Sequence, residues 1–474
     1  MNGIKLFVRH AKASPQRTAL WMPDSRHTSF GELMEMACKV QGNLIKQGIE
    51  AGDAVLVFDT LGPRLFSSIL AIVGLGCHAI FAEPWMPLPD LNYTIATAKP
   101  KFFLTNFFGR LWALRVAAIR AIPHWIGFGN IQSVWPSSSL HIESISPNDP
   151  AIITFTSGTT GTPKGVVRTQ QFLVDQQEII SKTLYNTPYH GPDLCVFANY
   201  ALTNLLSGRC TLLIPPNWNK KMLSSLDDLP INLQPDTLTC GPAFLMQLMK
   251  QAHLPTLQSI HVGGALTDCW IFEKAFQHWP HARWSHIYGS SEAEPITVVD
   301  AHLAVKNSRE RGFFQTLHLG KAIDDIETSI EEQGLWVTGK HVCPQYVGNY
   351  EANTLYKRVD QEKRTWHFMG DRIIEDQAGW WYGGRAQQNY KDFTLEQKIY
   401  NFLGSSASFI HRTEDDRLFL IGEKLNDNQM TIKKMFKNLT GIIEGTIYRD
   451  ERHHAQINRP LSLRKCAKWL IPPE

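Results

Sequence analysis

Residues 154–166 read Thr154-Phe-Thr-Ser-Gly-Thr-Thr-Gly-Thr-Pro-Lys-Gly-Val166. The apolar run Ala151 to Thr156 predicts a buried strand, which delivers the chain into a loop dense in glycine, serine and threonine. Glycines let successive backbone N–H groups turn toward one anion, and hydroxyls add donors, so Thr156, Ser157, Gly158, Thr159, Thr160 and Gly161 form a candidate phosphate cradle. Lys164 would balance phosphate charge at its end. This is not the Walker arrangement, which needs Gly-Lys-Ser/Thr, because Lys164 follows Pro163 and precedes Gly165. A plain flexible turn is the alternative, but turns rarely need an unbroken run of hydroxyls and glycines between a strand and a lysine.

The flanks predict an α/β protein. On the N-terminal side the pattern gives a helix from Phe30 to Gln47, strands at Asp53–Asp59, His78–Glu83 and Lys101–Thr105, and a helix that Pro63 opens and that runs through Gly74. The alternation resumes with helices at Phe172–Thr183 and Phe244–Gln251 and strands at Cys210–Ile214 and Ser259–Val262, which argues for parallel sheet covered by helices. From Gly334 the texture changes to short strands, such as Leu335–Thr338 and Gly379–Tyr382, with glycine and proline turns. Beyond Gly384-Arg385 a polar stretch precedes a smaller unit, with a strand at Arg417–Ile421 and a helix at Gln429–Leu439. A domain boundary is expected there, giving residues 1–384 and 385–474.

Composition narrows the class. At 474 residues the chain exceeds what one core supports. Apolar residues at 43% and charged residues at 19% describe an ordinary globular protein. Lys+Arg total 47 against 44 Asp+Glu, a balance with no electrostatic footprint for nucleic acid. Eight scattered cysteines without a C-x-x-C pair point to reduced thiols, and the first ten residues hold no apolar run of signal-peptide length; a cytoplasmic location is expected. The most membrane-like stretch, Phe102 to Ile122, carries Arg110, Arg115 and Arg120. Three central arginines cost about 8–10 kcal/mol on an insertion scale, and about ten large apolar residues return about 3–6 kcal/mol, so it does not span. As a helix it would either lie on a membrane surface or over a greasy substrate mouth, or be partly buried in the fold. Steps of five residues turn about 140° each, so the arginines would not share a face of one helix.

The 154–166 segment resembles the signature loop of the adenylate-forming superfamily, which comprises acyl-CoA synthetases, luciferases and peptide-synthetase adenylation domains. Four further segments follow in that family's order. Val262-Gly-Gly-Ala265 resembles its adenine-packing loop, Ile287-Tyr-Gly-Ser-Ser-Glu292 its Tyr-Gly-x-Thr-Glu motif, Met369-Gly-Asp371 its ribose-binding aspartate, and Gly383-Gly-Arg385 its hinge-side arginine. The resemblance implies a large N-terminal domain of parallel-sheet α/β subdomains with a small β-barrel-like subdomain, then a small mobile α+β domain. It also implies ATP and Mg²⁺ as cofactors and a carboxylic acid as substrate, joined to AMP with loss of pyrophosphate. Gly263, Gly264 and Ala265 would pack adenine. Tyr288 would offer it an aromatic face and Gly289 close approach. Ser291 would face the α-phosphate, Glu292 would hold the metal, Lys164 would hold the leaving pyrophosphate, and Asp371 with Arg385 would bind the ribose.

The chain departs from that pattern twice. Where the family's hinge motif continues with Asp, Ile-Lys and Gly, this sequence has Gln388, Tyr390-Lys391 and Thr394, which weakens a thioester-forming reading. The ending Tyr448-Arg-Asp-Glu-Arg-His-His-Ala-Gln-Ile-Asn-Arg459 is similar to a segment of bacterial olefin-pathway β-lactone synthetases, but Gln456 stands where a lysine is expected. Arg459, Lys465 and Lys468 are the candidate substitutes for that cation. The lactone likeness implies a medium- or long-chain 3-hydroxy acid, whose own hydroxyl closes the ring and needs no second substrate. Phe197, Asn199 and Tyr200, opposite Gly263-Gly264, are the candidate acyl pocket, with ordinary core packing as their alternative. Two other functions stay open: an acyl-CoA or acyl-carrier ligase, and a non-catalytic nucleotide or acyl-AMP binder acting with a pathway-enzyme partner.

Overall fold

The computed structural model describes residues 2–24, 26–83, 86–128, 139–156, 162–185, 191–216, 218–449 and 457–466, without the side chains of Thr156 and Asn232. Two large sheets carry the first three hundred residues. The seven-stranded sheet runs, in spatial order, Tyr346–Val347, Lys164–Thr169, Pro150–Thr156, His78–Phe81, Ala54–Phe58, Phe102–Thr105 and His124–Gly127. Its last five strands are parallel, and Lys164–Thr169 returns antiparallel to Pro150–Thr156. The eight-stranded sheet runs Ala293–Asp300, Arg283–Ser290, Ser259–Val262, Thr237–Cys240, Asp193–Cys195, Thr211–Leu213, Thr18–Trp21 and His27–Ser29. It is parallel except at its two edges.

Local chemistry explains the elements between the strands. Ser29 and Glu32 form a capping box that starts the Phe30–Lys46 helix, and its apolar face, with Phe30, Leu33 and Ala37, is buried. Pro63 occupies the first turn of the Pro63–Gly74 helix, where its missing N–H is harmless, and residues Leu65 to Gly74 are all buried between sheet and helices. The helix and strand at Pro63–Gly74 and Ser259–Val262 fall where the sequence places them. The Gln429 helix ends at Met435, four residues earlier than expected, because the chain turns at Phe436 to feed the Gly441–Glu444 strand.

From His318 onward two small antiparallel sheets share one core, in which Leu335, Val337, Ile373 and Trp380 meet Ala293 and Ile296 of the eight-stranded sheet. The end of the chain adds a three-stranded sheet of Ser408–Arg412, Leu418–Gly422 and Gly441–Glu444, with the helix Tyr390–Leu403 packed on it. That helix is capped by Asn389 and closed by the left-handed Gly404. Thr394, where the family places a glycine, is inside it and bonds back to the Lys391 carbonyl.

The stretch Phe102 to Ile122 is not one helix. Phe102–Thr105 is a fully buried strand, Asn106 caps a new helix at Phe107–Ala113, and a second short helix follows at Ala117–Arg120. Among the described residues no helix is long and apolar enough to cross a membrane. All eight cysteines are unpaired thiols.

Candidate active site

The predicted site segments gather at the carboxyl ends of parallel strands, where open α/β sheets bind ligands. Phe197 follows Asp193–Cys195, Gly241 follows Thr237–Cys240, Gly263 follows Ser259–Val262, and the Tyr288 to Glu292 segment closes Arg283–Ser290. Gly264 takes φ +82°, which favours glycine, and a Cβ there would lie 3.5 Å from the Phe197 ring. Gly263 packs against Ile287, and Ala265 follows it before the Cys269–His278 helix.

The candidate phosphate-cradle residues Ser157, Gly158, Thr159, Thr160 and Gly161 lie outside the described residues, but both flanking strands are defined. Thr156 and Lys164 are cross-strand partners in an antiparallel pair, in which Lys164 opens the second strand. Lys164 is buried, 6% exposed, with its ammonium 3.5 Å from the centre of the Tyr356 ring and 5.7 Å from that of Tyr346. A second antiparallel pair, a hairpin, carries Ser291 and Glu292 at its tip, with Ser290 paired to Ala293. Arg168 ties the two pairs together: it donates to Thr154 Oγ1 at 2.7 Å and to the Ser291 carbonyl at 2.9 Å.

Glu292 is held by residues the sequence reading missed. Tyr346 donates its hydroxyl to Glu292 Oε1 at 2.8 Å, and the backbone N–H of Cys343 donates to the Glu292 carbonyl at 2.7 Å. Burial alone would raise the carboxyl's pKa, but His367, the Tyr346 hydroxyl, Lys357 and Ser290 together outweigh it and hold it at about 2. Burial, with Lys357, lowers the His367 ring to about 3. At neutral pH Glu292 is therefore ionised beside a neutral imidazole, and Lys357 is its charge partner. Tyr346, Tyr356, Lys357 and His367 sit in the short-strand region, where buried aromatics and histidines are ordinary and no spacing marks them.

Asp371 and Arg385 face each other across two antiparallel strands, Asp371–Asp376 and Gly379–Arg385, and the guanidinium donates to the carboxylate at 3.0 Å. Tyr288 donates its hydroxyl to the other Asp371 oxygen at 2.8 Å, and Tyr382 faces the same carboxylate. Burial raises the Asp371 carboxyl's pKa, with Arg385 and the two phenols pulling the other way. Tyr288, Asp371 and Arg385 thus form one cluster. Gly289 lies against the backbone of Ala293 and Glu294 in the turn beside it.

In the candidate acyl pocket Phe197 lies against Gly264, as placed by sequence, and its ring is 6.0 Å from that of Tyr200. Asn199 donates to Glu294 Oε2 at 3.1 Å. Tyr200 is 1% exposed, part of the main core, beside Glu294. Glu294 was not anticipated, although it lies two residues past a recognised motif.

At the C-terminal end Gln456 and Lys468 fall outside the described residues. Arg459, one candidate substitute for the missing cation, is engaged in this structure: its guanidinium makes a two-pronged pair with Glu396, both bonds 2.8 Å. Lys465 is exposed on the Arg459–Cys466 helix. Gln388, at the family's hinge aspartate position, donates to the same Glu396 at 3.3 Å.

Residues 7–346 match the family described as AMP-binding enzyme. Delta-poly-L-ornithine synthetase of Acinetobacter baumannii is 27% identical over 367 residues, which are 72% of this chain and 26% of that protein. A 4-coumarate–CoA ligase of Humulus lupulus, CCL1, is 24% identical over 286 residues, 54% of this chain and 51% of that one. The chain thus spans about a quarter of the first relative and about half of the second. Among solved structures, the amide bond synthetase McbA of Marinactinospora thermotolerans superposes with a TM-score of 0.79 at 15% identity, over 98% of this chain and 99% of that one. The anthranilate CoA ligase AuaEII, solved with anthranoyl-AMP, gives 0.80 at 15% identity over 99% and 98%. At such identity these structures speak for the fold. The family match covers well over half of the sequence, from the first helix to the tyrosine that holds Glu292, and the chain belongs to the AMP-binding enzyme family.

Proposed function

We propose that this protein adenylates a carboxylic acid with ATP and then closes the acyl-AMP of a 3-hydroxy acid to a β-lactone. The observation that carries the first step is the convergence of Lys164 and Glu292, from two separate antiparallel strand pairs, on the single side chain of Tyr346. A cation and an ionised carboxylate set together suit a polyphosphate with its metal. Glu292, with one oxygen held by Tyr346, would hold magnesium through one carboxylate plus substrate phosphates, and the ion would neutralise charge on the phosphate oxygens.

In the first step a carboxylate oxygen of the substrate attacks the α-phosphorus. The bond from that phosphorus to the bridging oxygen breaks, and pyrophosphate leaves with the electron pair. Lys164 and the loop amides meet the charge that develops on the leaving group. Asp371 accepts from the ribose hydroxyls, and Arg385 fixes that carboxylate. Ser291 lies toward the α-phosphate. In the second step the 3-hydroxyl oxygen attacks the acyl carbon and gives up its proton to water, and AMP leaves with the electron pair of the broken C–O bond. Phe197 and Asn199 would line the acyl chain's path. Residues 1–384 act as the large domain and 385–474 as the small one.

The lactone step rests on the eroded hinge at Gln388 and Thr394 and on the ending near Arg459. Likeness to a CoA ligase favours a thioester product as the second reading. The commitment of Arg459 to Glu396 favours the third, a non-catalytic acyl-AMP binder, because it removes one substitute for the missing lysine. Incubation with MgATP and a panel of fatty and 3-hydroxy acids, with and without CoA, tests all three. Counting pyrophosphate and AMP and identifying the organic product by mass spectrometry separates them. No pyrophosphate with any acid would remove both enzymatic readings.

A further inference from the structure

We propose that the outer face of the Phe107–Ala113 helix is a membrane-contact surface that docks the protein onto anionic phospholipid. Four large apolar side chains stand in solvent on this one short element: Phe107 is 69% exposed, Phe108 79%, Leu111 51% and Leu114 53%. At 100° per residue Phe107, Leu111 and Leu114 fall within about 60° of one another, with Phe108 on one margin. The backbone is still helical at Leu114. Arg110 therefore lies on the other margin, and Arg115 comes beside Phe108.

These side chains cannot fold inward, because the inner face is full. Gly109 and Ala113 are buried, and even a Cβ on Gly109 would collide with Thr105 and Phe58. Trp112 stacks flat on Phe58, ring centres 4.7 Å apart. Asn106 caps the helix through the Gly109 amide and holds Asp59 with its own amide group. The helix is thus a rigid mount for an apolar outer surface.

Charge selects the occupant. Between Asp90 and Glu143 the sequence contains no acidic residue but carries Lys99, Lys101, Arg110, Arg115 and Arg120. The carboxylate that touches the helix cap, Asp59, has no exposed side-chain surface and is paired with Arg64. Among the described residues Arg110, Arg115 and Arg120 enter no ion pair; Arg110 donates to the Trp125 carbonyl, and Arg115 and Arg120 are exposed. An aromatic and aliphatic face with arginines at its edge is what inserts at a headgroup boundary, where each cation near an anionic surface adds to the partition. About two turns of helix make a small face for a stable protein interface, which needs about 800 Å² per partner. A weak, reversible lipid contact has no such requirement.

Flotation of the full chain with vesicles tests this. With phosphatidylcholine vesicles containing phosphatidylglycerol, the protein should float; with phosphatidylcholine alone it should float poorly, and raised salt should release it. Phe107→Ser with Phe108→Ser should reduce binding about ten-fold or more. Phe107→Trp with Phe108→Trp should keep it, with a blue shift of tryptophan emission on adding vesicles. Arg115→Gln and Arg120→Gln should each weaken binding to the anionic vesicles about five-fold. Pyrophosphate release with a water-soluble acid should be unchanged in all of them. The proposal is overturned if the wild type ignores both vesicles, or if the serine variant floats as the wild type does. It is equally overturned if light scattering shows a wild-type oligomer that the serine variant dissolves, since the face is then a contact between copies.

Discussion

Tyr346 donates its hydroxyl to a carboxylate oxygen of Glu292 at 2.8 Å, and so ties the edge of one large sheet to the hairpin tip of the other. Its ring also borders the Lys164 ammonium, so one side chain positions both charged groups of the proposed site. Tyr346→Phe should keep the ring and remove the hydrogen bond. Charge-assisted bonds of this kind are worth about 1.5–3 kcal/mol, so pyrophosphate release should fall about ten- to hundred-fold. The acid limb of its pH profile should move upward, because Glu292 loses a group that favours its ionised form. A variant that matches the wild type in rate and pH profile would place the metal carboxylate elsewhere.

Lys164→Ala and Glu292→Ala should each lower pyrophosphate release by some hundreds-fold, at about 3–4 kcal/mol for a transition-state charge contact. Thermal unfolding distinguishes lost chemistry from lost structure, since Lys164 is buried against Tyr356 and its removal leaves a gap. Lys164→Met fills that gap without the charge. It should therefore be as inactive as the alanine variant and more stable than it.

Three buried histidines predict the response to acid. Burial lowers His261 and His367 to about 3 and His286 to about 4, from an ordinary value of 6.5. A depressed folded value means that the stability is present above pH 6.5 and is lost as pH falls toward the folded pKa. Glu292 adds a later loss, between its ordinary 4.5 and about 2. Urea unfolding midpoints should therefore drop steadily from pH 7 to pH 5. Each histidine contributes up to about 2 kcal/mol of that loss. His286→Phe should flatten the slope in this range. A midpoint constant from pH 7 to pH 5 would show that the rings are solvated.

Much of the frame and part of the candidate site were legible because they are local. Pro63 fixes a helix start, alternating strands and helices imply a parallel sheet, and Tyr288, Glu292, Asp371 and Arg385 lie in short motifs. Tyr346, Tyr356, Lys357 and His367 were not legible, since each looks like a packing residue until the chain folds a hairpin against it. Phe102 to Ile122 misled for a related reason. Its hydropathy is continuous, but Asn106 is a capping residue that ends a strand and starts a helix, and only the Gly109 amide it receives reveals that role. Arg459 illustrates the limit on charge counting: a nearby cation can already be engaged, here by Glu396.

The product of the second step can be decided with one pair of substrates. The hinge positions Gln388 and Thr394 are built into a capped helix start, with Gln388 bonded to Glu396 and Thr394 to Lys391. If that segment no longer serves thioester formation, the second nucleophile must already be on the substrate, where tethering gives a large effective molarity. A 3-hydroxy acid should then yield AMP and a neutral product lighter than the acid by one water, without CoA. The matching acid lacking the 3-hydroxyl should stop at bound acyl-AMP or leak slowly by hydrolysis. Gln388→Asp with Thr394→Gly, which restores the family's hinge residues, should leave the hydroxy-acid product unchanged. Full turnover of the deoxy acid on adding CoA, with only a thioester from the hydroxy acid, would end the lactone reading in favour of a ligase.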